Sequence, residues 1–197
     1  MRVAGRVTQV VFIGATLLVC WLLMQVVHEF GHVLHAGLSG GKVFQVVLTP
    51  LEISRTDYSY NPYPQFVVWG GPVWGCVVPL LLAWAAKWRQ WPSAPLLRCF
   101  AGFCLIANGV YLGAAAVSPV GDAQELVDCG VPSWAVALCG LPAFAAGLYL
   151  WNGLGPYFGV GSGGQVDRRA VAGVVVALIV VVAAELLLGW AGMLTAV

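Results

Sequence analysis

Charge is what this sequence has least of. Only 9% of its 197 residues are Asp, Glu, Lys or Arg, where a soluble domain carries about 25%. Hydrophobic residues make up 60%. So few charges cannot cover a water-facing surface of this size, so most of the chain's solvent is lipid. The net charge is +1, and there is no basic run and no interleaved basic-aromatic stretch, which excludes an argument for nucleic acid. Cys20, Cys76, Cys99, Cys104, Cys129 and Cys139 form no CxxC pair, and most lie inside apolar runs. They read as small buried hydrophobes rather than a disulfide framework or a thiolate metal site. No internal repeat is visible. Gly159 to Gly164 reads as a short flexible loop; without a strand and a GK[ST] it is no phosphate cradle.

What is present is length of apolar run. A membrane-crossing helix needs about 20 mostly apolar residues, and five stretches qualify: about Thr8–Gly37, Gln65–Ala86, Leu97–Val117, Ser133–Trp151 and Arg169–Trp190. The first follows Arg2 and Arg6, as a signal peptide would. Its apolar run from Val7 to Val27 exceeds the 7–15 residues of a secretory core, so it is read as a retained helix. Trp69, Trp88, Trp91, Trp134, Trp151, Tyr157 and Trp190 gather near helix ends, as an interfacial belt requires. The expected fold class is therefore an all-α multi-pass membrane protein forming one domain, residues 1–197.

The connection after the first helix differs in kind. Val43–Thr49 is β-branched, Glu52–Tyr60 is polar and alternating, and Thr49-Pro50 breaks between them. Two short strands at the membrane surface are expected there, a β-hairpin-like loop.

With the N-terminus inside, Arg2, Arg6, Lys87, Arg89, Arg98, Arg168 and Arg169 fall on the inner side. Lys42 and Arg55 fall on the outer. The positive-inside rule then favours N-in, C-out. In either orientation, the end of the first helix and the acidic loop Asp122–Asp128 lie on the same side. The short connections suit a bacterial inner membrane.

Histidine is rare, and its placement is not scattered. Of three histidines, His28 and His32 stand four apart around Glu29 in His28-Glu29-Phe30-Gly31-His32. On a helix the two imidazoles share one face and can grip one tetrahedral zinc ion. Glu29 lies beside that face, where it can act as general base on a metal-activated water. With three His and eight acidic residues, chance places this pattern on the order of two times in a thousand chains. The competing reading is a helix end emerging into water, its His and Glu simply solvated. Charged residues at helix depth cost about 2.5–3.5 kcal/mol each, and a shared metal gives one reason for three polar groups on adjoining faces of one apolar helix.

A third protein ligand is needed. His35 lies seven residues from His28, about 10.5 Å along a helix axis, too far to share the ion. It reads as a supporting or interfacial residue. Asp122, Glu125 and Asp128 follow the third helix and are the acidic alternatives. Asp122 could also cap a short helix. Glu185, inside the fifth helix, is a functional residue or one at the membrane boundary.

The sequence His28-Glu29-Phe30-Gly31-His32 followed by Ala36 resembles the HExGHxxxA pattern of the site-2 protease family of intramembrane zinc metallopeptidases, peptidase family M50. Gly70-Gly71-Pro72 resembles that family's Gly-Pro motif. Ser118–Leu126 with Gly130-Val131-Pro132-Ser133-Trp134 resembles its small M50B-like branch. The resemblance covers about Val26 to Trp151. It implies a compact helical core with one zinc ion in the bilayer plane, Asp122 as third ligand, and strands that hold an extended substrate by strand addition. In the family's Gly-Pro-x-x-Asn, Gly75 stands at the asparagine position. Asn108 is either an oxyanion contact in its place or a helix–helix hydrogen bond. The family places its site near the cytoplasmic face, against the charge count.

The expected function is an intramembrane zinc metalloprotease acting on transmembrane or membrane-proximal segments of membrane proteins. His28, His32 and Asp122 would hold zinc, and Glu29 would be the base. The rivals are a non-catalytic membrane protein with a structural or partner-binding zinc site, and a transporter or channel component with Glu185 and Asn108 along its path.

Overall fold

A computed structural model describes residues 3–161 and 166–195 of the chain. The elements run α1 (Val3–Leu38), β1 (Lys42–Val47), β2 (Arg55–Tyr60), α2 (Pro64–Trp88), α3 (Ala94–Gly113), α4 (Asp122–Asp128), α5 (Ser133–Trp151) and α6 (Arg168–Thr195). Single 3-10 turns at Ala114–Ala116 and Gly155–Phe158 follow α3 and α5. Among the described residues, five helices are long and apolar enough to cross a membrane. They mark the chain as an integral membrane protein. Of the Gly159–Gly164 loop, residues 162–164 lie outside the described residues, as do Arg2 and the side chain of Trp190.

Lipid tails are as apolar as leucine, so membrane helices associate by close packing rather than by hydrophobic burial. The α3–α5 pair shows this directly. A Cβ added at Gly109 would lie 2.5 Å from the Phe144 nitrogen and 2.8 Å from the Gly140 oxygen, and one at Gly147 would lie 2.8 Å from the Gly102 oxygen. Backbones therefore touch along this crossing. The α1–α2 pair is built the same way. A Cβ at Gly31 would lie 2.6 Å from the Gly70 carbonyl carbon, and one at Gly70 would lie 2.8 Å from that of Gly31. The glycine inside the histidine motif and the first glycine of Gly70-Gly71-Pro72 thus form one contact.

Three buried clusters fix the remaining helices. Phe12 and Ala15 of α1 pack with Cys99, Leu154, Phe158 and Val174, which ties α6 to the first half of α1. Cys20, Phe100 and Cys104 join α1 to α3. Val68, Leu112, Ala115 and Val136 enclose Ala123 and Leu126 of α4. That last cluster anchors α4 by one face: Ala123 and Leu126 are wholly buried, which leaves Asp122 and Glu125 to the neighbouring face.

The hairpin follows α1 as expected, with narrower strands. β1 and β2 pair antiparallel with Val46 opposite Thr56 and Val47 opposite Arg55. The expected second strand began at Glu52. It begins instead at Arg55, because the Ser54 N–H donates to Gln25 Oε1 of α1 at 2.8 Å rather than to β1. The segment is held to the helix before it joins the ladder.

Candidate metal centre

The i, i+4 spacing on α1 sets His28 and His32 one turn apart, with ring centroids 4.9 Å apart and the rings nearly perpendicular. The third group arrives from α4. Asp122 Oδ2 lies 2.8 Å from His28 Nε2 and 3.3 Å from His32 Nε2. One ligand atom from each of the three residues lies within 4.8 Å of the other two. The same-side relation expected from the helix count is what brings them together.

The tautomers suit a cation. His28 Nδ1 is 3.1 Å from Asn108 Oδ1, and His32 Nδ1 is 3.0 Å from the Val67 carbonyl. Both partners accept, so each Nδ1 is held as a donor and each Nε2 is directed at the Asp122 carboxylate, where a bound cation would take the place of the Nε2 proton. Two imidazole nitrogens and one carboxylate oxygen can hold a divalent ion and leave its fourth position open. Gly71 completes the cradle. A Cβ there would lie 2.5 Å from His28 Nε2 and 2.7 Å from His32 Cε1. Only a glycine lets α2 pass so close to the ligand atoms.

Asp122 is placed by a tight turn. Gly121, with φ of 51°, precedes α4, and its Cβ position is filled by the Tyr111 hydroxyl. The Tyr111 oxygen accepts the Asp122 N–H at 2.7 Å. Gly121 is thus the cap residue, and the Asp122 carboxylate meets His28 and His32. Burial alone would raise the Asp122 carboxyl, but contact with His28 and His32 outweighs it and holds the group well below the usual carboxylate range. Glu125 also lines the cavity and is pushed up by burial and by the nearby Asp122. Asp128 accepts from Gln124 on the exposed side of α4.

Glu29 is only 3% exposed, and both its oxygens are engaged. Ser54 Oγ donates to Oε1 at 2.7 Å and Thr56 Oγ1 to Oε2 at 2.6 Å. Sequence reasoning missed Ser54, Thr56 and Tyr111. One signal was available: Ser54 and Thr56 are two apart in an alternating segment, and so share a face. Tyr58, next on that face, lines the same cavity, and burial raises its hydroxyl above the usual tyrosine range, with Glu29 and Asp122 adding to the shift. The cavity measures about 330 Å³ and is walled by Trp21, Met24, Asn108 and Tyr111 beside the acidic and histidine groups.

His35 stands apart from the group. Its Nδ1 is 2.7 Å from the Phe66 carbonyl, Trp74 Nε1 donates to its Nε2 at 3.1 Å, and its ring stacks on Phe66. It ties α1 to α2. Asn108 makes the helix–helix hydrogen bond through its oxygen, which meets His28 Nδ1 of α1, while its Nδ2 donates to the Cys104 carbonyl within α3. It occupies the space beside Gly75: a Cβ there would lie 2.9 Å from Asn108 Nδ2. An asparagine on α3 therefore fills the place where the resemblance expects one on α2. Glu185 is buried elsewhere, and neither of its oxygens has a partner among the described residues.

The family model for Peptidase M50B-like proteins matches residues 3–113. That span carries His28, Glu29, His32, the hairpin and Gly70-Gly71-Pro72, and ends before Asp122. No curated protein and no solved structure matches the chain. The match covers more than half of the chain, including the glycine contact that sets α1 against α2, and the chain belongs to the Peptidase M50B-like family.

Proposed function

We propose that this protein is a zinc metalloendopeptidase of site-2 protease type, hydrolysing peptide bonds in or near transmembrane segments of other membrane proteins. The observation that carries this reading is the convergence of His28 Nε2, His32 Nε2 and Asp122 Oδ2 on one point, with Glu29 on the adjoining face of the same helix over the same cavity. Two nitrogens and one oxygen suit zinc, and a fourth position left open suits catalysis rather than structure. Zinc bound there supplies a Lewis acid for the scissile carbonyl and acidifies a water molecule.

The chain's own groups do the rest. Glu29 accepts the proton of the attacking water and returns one to the leaving nitrogen. Asn108 and the Val67 carbonyl keep His28 and His32 in the tautomer that presents Nε2. The hairpin lines the cavity with Ile53, Ser54, Arg55, Thr56 and Tyr58, and with nothing from β1. The outer edge of β2 has no strand partner among the described residues, so it is the edge on which an unwound substrate segment would pair. A peptide bond within a helix is shielded, and its freed backbone groups need partners inside a membrane. We place the enzyme in a bacterial inner membrane, which its short connections suit.

The test is cleavage of a membrane-tethered reporter by wild type and by Glu29→Gln. Loss of the base is expected to cost about 10²–10⁴-fold in rate. Undiminished cleavage by Glu29→Gln would overturn the proposal. Stable zinc binding with no cleavage across a broad set of membrane substrates would leave a non-catalytic zinc protein.

A further inference from the structure

Glu29 is the one acidic residue of the cavity wall whose two oxygens are both held by hydroxyl groups, and both hydroxyls come from the hairpin. The Ser54 and Thr56 distances, 2.7 and 2.6 Å, are those of charge-assisted O–H···O⁻ bonds. Ser54 is also fixed through its backbone, since its N–H donates to Gln25 Oε1 at 2.8 Å. Gln25 lies one turn before Glu29 on the same face of α1. Thr56 is fixed by the ladder, opposite Val46. Each donor is therefore held by a second, independent contact.

We propose that Ser54 and Thr56 are positioning residues. Together they set the orientation of the Glu29 carboxylate and tie it to the strand that lines the cavity. This rests on the reading of Glu29 as general base. A glutamate has three side-chain torsions, and a base misplaced by about 1 Å can cost about 10²-fold in rate. Two donors at fixed points leave one orientation. Because Thr56 sits on β2 and Ser54 immediately before it, the base is in register only while the hairpin is docked against α1. Docking of the strand and readiness of the base are then one event.

A merely structural role for these hydroxyls would hold the hairpin down without setting the carboxylate, and the two roles separate experimentally. In the full chain carrying zinc, Thr56→Val removes the hydroxyl at nearly constant shape, and Thr56→Ser restores it. We expect kcat to fall about tenfold in Thr56→Val and about 100-fold in Ser54→Ala/Thr56→Val. KM and zinc content should stay near wild type, and Thr56→Ser should recover most of kcat. Wild-type kcat in the double variant overturns the proposal. So does a loss that Thr56→Ser fails to restore, or a rise in KM alone.

A second readout needs no turnover. Amide exchange across residues 53–58 of the metal-free chain should be slow in wild type and Thr56→Ser, and faster in Glu29→Ala, because the tie is reciprocal. Unchanged exchange in Glu29→Ala shows that no tie exists and overturns the proposal even if the enzyme cleaves. Absence of wild-type cleavage counts against the peptidase reading instead.

Discussion

Adding a single methyl group at Gly71 separates the metal site from the fold. A Cβ there would stand 2.5 Å from His28 Nε2 and 2.7 Å from His32 Cε1, where ordinary contact requires about 3.5–4.0 Å. The overlap is therefore about 1 Å. It falls on side-chain tips rather than on backbone, so the rings can swing aside at modest cost in stability. They cannot swing aside and still bind, since metal–ligand distances tolerate only about ±0.2 Å. Gly71→Ala should thus melt close to the metal-free wild type in detergent, yet bind zinc at least about 100-fold more weakly, at the upper range for disturbing a site's supporting groups. Gly31→Ala is the built-in control. Its Cβ would meet Gly70 backbone, which cannot swing aside, so that variant should lose stability. Zinc titration against a competing chelator, with a melting curve for each variant, measures both quantities. A Gly71→Ala protein that binds zinc as tightly as wild type would refute the placement of α2 against the ligand atoms.

Two other expectations follow from single contacts. Asn108→Leu removes the acceptor on His28 Nδ1 and should weaken zinc about 10–100-fold, while Asn108→Asp should restore most of it; equal affinity in all three would show that Asn108 does not orient the ring. Glu185 is 3% exposed with no partner for either oxygen among the described residues. Glu185→Leu should stabilise the detergent-solubilised protein by about 1–3 kcal/mol and leave zinc content unchanged, and a lower melting temperature would mean that Glu185 carries a bond essential to packing.

Local patterns were readable in the sequence and long-range ones mostly were not. The apolar runs mark the five crossing helices because backbone satisfaction in lipid permits little else. His28 and His32 could be paired because helical periodicity decides which residues share a face. The reason for Gly31 and Gly70 was hidden, since each glycine exists for the other and they are on different helices. Asp122 could be placed on the right side by counting helices. Choosing it over Glu125 or Asp128 takes the family resemblance, and the structure adds the Gly121 turn and the Tyr111 hydroxyl. Ser54 and Thr56 looked like ordinary polar strand residues. Their partner lies 25 or more positions back in a helix, and no periodicity reaches across that gap. The second strand was read too long for the same reason, because the alternation of Glu52–Tyr60 does not reveal that Ser54 bonds to Gln25.

Zinc per protein, measured by elemental analysis of detergent-purified wild type and Asp122→Ala, tests the account at its centre. About one zinc in the wild type, falling to a small fraction in Asp122→Ala, is expected of a site with three protein ligands. Full retention of zinc in Asp122→Ala, or a wild type that cannot be loaded with zinc, would contradict it.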